Sequence, residues 1–226
     1  MLHQAKFHIG AAALSQLPRD DVREVAIAGR SNAGKSSAIN ALTNRRQLAF
    51  VSKTPGRTQQ INYYEVGFGR FLVDLPGYGY ARVPGALQQR WERLLSAYLQ
   101  TRASLQGLVV VMDARHPMTD LDRQLLEWVG PTQRPVLVLL TKADKLSRQQ
   151  QATQLASVEQ QLRLTYPNCS VQLFSSTQRV GVAEARGFIE RLLSGMARAP
   201  SESRIDAQRK APGKGEKPGA KSLNKD

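Results

Sequence analysis

Eight consecutive residues constrain this chain more than any other stretch. Gly29-Arg30-Ser31-Asn32-Ala33-Gly34-Lys35-Ser36 fills every fixed position of G-x-x-x-x-G-K-[ST], directly after a short apolar run, residues 24–28, of strand character. Such a string needs a strand that ends in a tight glycine turn and a helix that starts on it, and residues 37–42, beginning at Ser37, have helical character. In that geometry the backbone N–H groups of the turn face inward on phosphates. Lys35 supplies a point charge to the β and γ groups, and the Ser36 hydroxyl can ligate magnesium. The implied ligand is a nucleoside triphosphate; the competing reading is a glycine-rich turn of purely structural origin.

Apolar runs recur at residues 25–28, 63–66, 71–73, 108–112, 136–140 and 171–174, with amphipathic stretches between most of them. This is an α/β pattern. Continuous runs such as residues 109–111 and 136–140 suit strands covered on both faces, as in parallel sheets. The expected fold is a three-layer P-loop NTPase, with a mostly parallel central sheet of about six strands and helices on both faces. Helices are expected at 84–102, 120–129, 147–164 and 182–193, with Leu87, Trp91, Leu95 and Tyr98 near one face and Trp128 on an apolar face. Residues 1–21 read as an N-terminal extension and 22–196 as the domain proper. Residues 43–60 carry four basic side chains and no acidic one, and read as a long functional loop. From 197 onward the chain is rich in Lys, Gly, Pro, Ser and Ala and reads as a disordered basic tail.

Net charge is +14 over 226 residues, and both parts are basic: residues 198–226 hold 8 basic and 4 acidic side chains, leaving +10 on the rest. That balance favours phosphate-rich partners and a steep salt dependence of binding. No apolar run reaches the roughly 18 residues that span a bilayer, and the short stretch 9–14 lacks a cleavage pattern, so a soluble cytoplasmic protein without membrane insertion is expected. Cys169, the only cysteine, excludes an internal disulfide and reads as a small buried strand residue, while the histidines at 3, 8 and 116 give no zinc spacing.

Two further motifs fall at the ends of apolar runs. Asp74-Leu75-Pro76-Gly77 gives D-x-x-G about 40 residues after the glycine loop. Asp74 would act on magnesium through water, and the N–H of Gly77 can sense a γ-phosphate. Thr141-Lys142-Ala143-Asp144 matches [NT]-K-x-D, in which the Asp144 carboxylate can accept from N1–H and the N2 amino group of guanine, donors that adenine lacks. The stem of Lys142 would lie along the base. Past the last strand, at Phe174, Ser175 and Ser176, the Ser-Ser pair could present a backbone N–H to O6. In isolation Asp144 could equally be an ordinary helix cap; three motifs in this order at strand ends favour GTP and GDP as ligands.

At this point the residues resemble a known family. Glu24-Val-Ala-Ile-Ala-Gly-Arg-Ser-Asn-Ala-Gly-Lys-Ser-Ser37, Ser52-Lys-Thr-Pro-Gly-Arg-Thr-Gln59, Val73-Asp-Leu-Pro-Gly-Tyr-Gly-Tyr-Ala81 and Thr141-Lys-Ala-Asp-Lys-Leu146 look like the EngB family, within the TrmE-Era-EngA-EngB-Septin-like class of P-loop GTPases. The likeness covers about residues 6–195. It implies a magnesium-dependent GTPase, low in intrinsic rate, that joins maturation of the large ribosomal subunit or its precursor, with ribosomal RNA rather than DNA as partner, and is needed for normal septation. A direct role in septation is the alternative. On that likeness Gly56, Arg57 and Thr58 join the nucleotide-contacting set, with Thr58 ligating magnesium on the γ-phosphate side in the GTP state only. The chain is expected to be a monomer.

Tyr78 stands after Gly77, where many GTPases place the glutamine that orients the attacking water. Turnover on the order of 10⁻³ per second or below is therefore expected. Lys35, Thr58, Gly77 and the metal would carry the charge stabilisation, and Gln59, Gln60 or a ribosomal group would have to place water. Related GTPases without the glutamine use an asparagine at the position of Asn32 to hold potassium, so potassium stimulation is expected; otherwise Asn32 is a loop residue tolerant of left-handed backbone.

Overall fold

The computed structural model describes residues 1–49, 60–79 and 85–195. The expectations for Gly56, Arg57 and Thr58, for the side chains of Leu87 and Trp91, and for the tail lie outside the described residues.

Seven strands form one sheet: β1 (Lys6–Ala11), β2 (Arg23–Gly29), β3 (Ile61–Gly67), β4 (Arg70–Asp74), β5 (Leu105–Asp113), β6 (Val136–Thr141) and β7 (Cys169–Leu173). Five helices accompany them: α1 (Lys35–Thr43), α2 (Gly85–Thr101), α3 (Asp120–Val129), α4 (Arg148–Thr165) and α5 (Val182–Ser194). The strand order is β1-β3-β4-β2-β5-β6-β7. Strands β4, β2, β5, β6 and β7 are parallel, and the β3–β4 hairpin and β1 add antiparallel pairings at one edge.

The strands alternate between two apolar layers, which is why their sequences read as unbroken apolar runs. Ala26 and Ala28 of β2, Leu108, Val110 and Met112 of β5, and Val138 and Leu140 of β6 face the layer holding Leu95 and Tyr98 of α2, Leu125 and Leu126 of α3, and Val158 and Leu162 of α4. Their neighbours Val25, Ile27, Val109, Val111, Leu137 and Leu139 face Ile39 and Leu42 of α1 and Ile189 and Leu193 of α5. Each buried Val, Leu, Ile or Met among them contributes about 1.5–3 kcal/mol, so a polar substitution at any of these breaks a layer. Trp128 packs against the first layer, as its helical position predicts.

The structure refines the expected fold in two details. The sheet has seven strands rather than about six, because residues 6–11, inside the expected extension, pair with β3, and Leu2, Ala5 and Ala11 are buried. The exposed residues of β1 hid it, since one face of an edge strand meets water and its apolar pattern is short. Cys169 is half-buried rather than buried, because it opens the outermost strand, and burial pushes its thiol up to about 12. The described start of the expected loop, residues 44–49, is irregular and exposed through residue 47, and is tied back at its end: the Asn40 amide donates to the Ala49 carbonyl and accepts from its N–H, both at 2.9 Å.

Strand β2 is flanked by β4 on one side and β5 on the other, so the connections leave its carboxyl end in opposite directions. A crevice opens there, the usual ligand position in an open parallel sheet.

Candidate nucleotide site

The crevice is built on the turn from β2 into α1. Gly34 takes φ 96°, a left-handed conformation that L side chains rarely adopt, and Lys35, Ser36 and Ser37 form the first turn of α1 behind it. Asn32 is also left-handed, at φ 62°, which fits its reading as a loop-shaping residue. The first N–H groups of α1 have no partner within the helix and collect partial positive charge at its N-terminus. Within the turn the Ser31 N–H already donates to Tyr78 O and the Ala33 N–H to Arg30 O, so the donors left for an anion are concentrated at the start of α1.

Lys35 and Asp74, 39 positions apart, meet at this point: the Lys35 ammonium donates to Asp74 Oδ1, and both side chains are buried. Strand pairing explains the meeting, because β4 lies beside β2 with Ile27 opposite Asp74. Leu75, Pro76 and Gly77 follow as a buried segment, with the Leu75 N–H donating to Ile27 O at 3.0 Å.

The Thr-Lys-Ala-Asp segment closes the crevice from β6. The Thr141 hydroxyl reaches the carbonyls of Ala33 and Met112. Lys142, at φ 56°, donates to Asn32 O at 2.7 Å and pairs with Asp113 Oδ2 at 2.9 Å. Burial alone would raise the Asp113 carboxyl; hydrogen bonds from Arg115 and Lys142 outweigh it and hold the group well below the usual carboxylate range. Asp113 was not found from sequence, although an acid closing the apolar run of β5, as Asp74 closes β4, was the available signal.

Asp144 is not a helix cap. Ser147 caps α4, accepting from Gln150 N while its own N–H donates to the Gln150 side chain. Asp144 instead accepts from the Ser175 hydroxyl at 2.6 Å, and that bond, ahead of every other influence, lowers its pKa. Ala143 is buried, and its N–H donates to Phe174 O at 3.2 Å. Phe174 itself is packed into the layer beneath α1 and α5. The expectation of a free amide in the Ser-Ser pair narrows to Ser176, because Ser175 N donates to Val180 O at 3.0 Å.

The arrangement offers the N–H groups at the start of α1, the buried Lys35 ammonium, and the Asp144 carboxylate held ionised after β6. Among the described residues no cluster of three or more His, Cys, Asp or Glu could hold a metal by itself. Ser36 follows Lys35 at the start of α1, and Asp74 is paired with Lys35; a hydroxyl and a carboxylate are hard oxygen donors of the kind that suit a magnesium ion taking one or two protein ligands and filling its shell with phosphate and water.

Residues 24–142 match the family model described as 50S ribosome-binding GTPase. The chain is 52% identical over 218 residues to "Probable GTP-binding protein EngB" of Nitrosomonas europaea, covering 96% of this chain and 98% of that protein. It is 55% identical over 193 residues to the protein of the same name in Methylobacillus flagellatus, covering 85% and 93%. Among solved structures, "Crystal structure of a probable GTP-binding protein engB" superimposes with a TM-score of 0.62 at 20% identity, covering 76% of this chain and 99% of that one, which bears on the fold alone. No helix among the described residues is long and apolar enough to cross a membrane.

Proposed function

Since the chain belongs to the EngB family of GTP-binding proteins and is on that ground a GTPase, we propose that it is a slow, magnesium-dependent, nucleotide-gated assembly factor for the large ribosomal subunit. In this reading Gly29 to Ser37 hold the phosphates, Asp144 reads the guanine edge, and the Lys142 stem lies along the base. Ser176 N–H meets O6, and Gly77 N–H meets the terminal phosphate.

One observation carries the site reading. The guanine-reading segment is tied to the phosphate loop through Thr141 to Ala33 and Lys142 to Asn32, so base and phosphate subsites are held at one fixed separation. Ser175 aims Asp144 and keeps it charged. Asp144→Asn keeps the size but replaces an acceptor with a donor, so it should lose guanine and gain xanthine, whose C2 carries an oxygen. The expected loss of GDP affinity is about 10²–10⁴-fold, from two hydrogen bonds to a charged group. Titration with fluorescent GDP and XDP tests this, and unchanged GDP affinity would contradict the assigned contact.

For hydrolysis, Lys35 neutralises charge on the transferring phosphoryl group and the loop amides fix it in place. When bound, magnesium would be held by Ser36, by Thr58 and through water by Asp74, and supplies charge neutralisation at the phosphates. Asn32 is the residue that would hold potassium. The ribosomal part of the proposal is supported by the description of the matched family model and by the net charge of +14. The gate is tested by sedimenting the protein with large-subunit precursors: binding should differ between GDP and a non-hydrolysable GTP analogue, and equal binding removes it. Septation defects follow, in this reading, from a short supply of large subunits, so precursors should accumulate before division fails on depletion.

A further inference from the structure

Tyr78 follows Gly77, yet its side chain is not directed at the phosphate loop. Its hydroxyl donates to Asp122 Oδ1 at 2.8 Å, and the other oxygen of Asp122 accepts from the N–H and the hydroxyl of Thr119 at 2.9 and 2.7 Å. Asp122 is buried in the first turn of α3, and Leu125, Leu126 and Val129 anchor that helix in the sheet layer, so the carboxylate is a fixed post. Burial first, then the charge of Asp122, raises the Tyr78 phenol well above its ordinary value, so it stays a donor at neutral pH.

The backbone of the same residue is held from the other side. Tyr78 N donates to Gly29 O at 3.4 Å, and Ser31 N donates to Tyr78 O at 2.9 Å, a parallel bridge between Arg30 and Tyr78 that prolongs the β2–β4 pairing. Gly79, at φ 77°, then passes so close to α3 that a Cβ there would meet Leu121 Cδ1 at 2.6 Å. The segment carrying Gly77 is thus spanned between two rigid elements, the phosphate loop and the capped end of α3, and Tyr78 is the strut.

We propose that Tyr78 is a positioning residue: keyed by its hydroxyl to Asp122, it sets the placement of the Gly77 amide and thereby the preference of the site for a triphosphate over a diphosphate. This rests on the reading that Gly77 meets the terminal phosphate. It also assigns a role to the position that carries a water-orienting glutamine in many other GTPases.

The test uses the full chain in magnesium buffer and compares affinities for GDP and a non-hydrolysable GTP analogue. Tyr78→Phe and Asp122→Ala should each reduce the triphosphate preference about tenfold, the scale of one hydrogen bond to a charged group, with GDP affinity within about twofold. The double variant should lose no more than either single one. Thr119→Ala removes a cap partner of Asp122 without touching Tyr78, so it should lower the melting temperature and keep the preference. An unchanged preference in Tyr78→Phe, additive losses in the double variant, or an equal loss in Thr119→Ala would overturn the proposal. Gly77→Ala separates the two levels: if it alone loses the preference, the strut is wrong and the Gly77 reading stands. If Gly77→Ala keeps the preference, the reading beneath the proposal fails.

Discussion

Glu24, the second residue of β2, has no exposure to solvent, and its partner Arg102 lies 78 residues away, just past the end of α2. Replacing Arg102 with Met keeps most of the volume and removes the charge. In the native protein the Glu24 carboxylate accepts from Arg102 Nε at 3.0 Å and Nη2 at 2.5 Å, from Tyr98 Oη at 2.7 Å and from Tyr63 Oη at 3.1 Å. Burial alone would lower the basicity of Arg102; the hydrogen bonds and charge of Glu24 override it, so the guanidinium is firmly charged. The variant leaves a buried carboxylate with two phenols and no counter-charge, a loss of about 3–5 kcal/mol by analogy with other broken buried pairs. For a domain of this size that is a drop of ~6–20 °C in Tm. Urea and thermal unfolding followed by circular dichroism measure it. Glu24 lies about 16 Å along β2 from Gly29, at ~3.3 Å per residue, so GDP affinity should change less than about twofold while the fold persists. Tyr98→Phe should cost about 1–2 kcal/mol and Tyr63→Phe less, in the order of their bond lengths. Stability within 1 kcal/mol of wild type in Arg102→Met, or lost nucleotide affinity at full stability, would refute this reasoning.

Asp113→Asn should lower stability at pH 7, because the native carboxyl is held well below its unfolded value and its charge stabilises the fold above that value; the gap to wild type should begin to narrow as pH falls through the ordinary Asp range near 4 and go on narrowing below it toward the native value, read as the difference in Tm from pH 7 down to about 2. A gap independent of pH would contradict the ion-pair assignment. Lys35→Ala should lose triphosphate affinity severely, by at least about 10²-fold, in nucleotide titration, and normal GTP affinity would remove the assigned contact. Truncation after Ala197 should leave GDP affinity intact and flatten the salt dependence of ribosome binding; an unchanged slope in log affinity against log salt tells against the tail. Turnover in potassium should exceed that in sodium if Asn32 holds the monovalent ion, and equal rates would leave it a loop-shaping residue.

Much of this molecule was legible one-dimensionally, because its signals are local. A strand, a glycine turn and a helix start need only neighbours, so residues 24–42 announce β2, the loop and α1, and the apolar runs give six of seven strands. The candidate-site residues Lys35, Asp74, Thr141 and Asp144 stand out by type and spacing, since a site proposed for phosphate, metal and guanine would demand those donors and acceptors. Pairings across the sheet were not legible, because they depend on which strand lies beside which. Tertiary structure alone decided that Lys35 rests on Asp74, that Lys142 bridges Asn32 and Asp113, and that Asp144 is aimed by Ser175 while Ser147 caps α4. It also decided that residues 6–11 close the sheet edge, that Glu24 finds Arg102, and that Tyr78 reaches Asp122. A polar side chain in the interior must be satisfied by whatever the topology brings within about 3 Å, and nothing in a sequence neighbourhood specifies that partner.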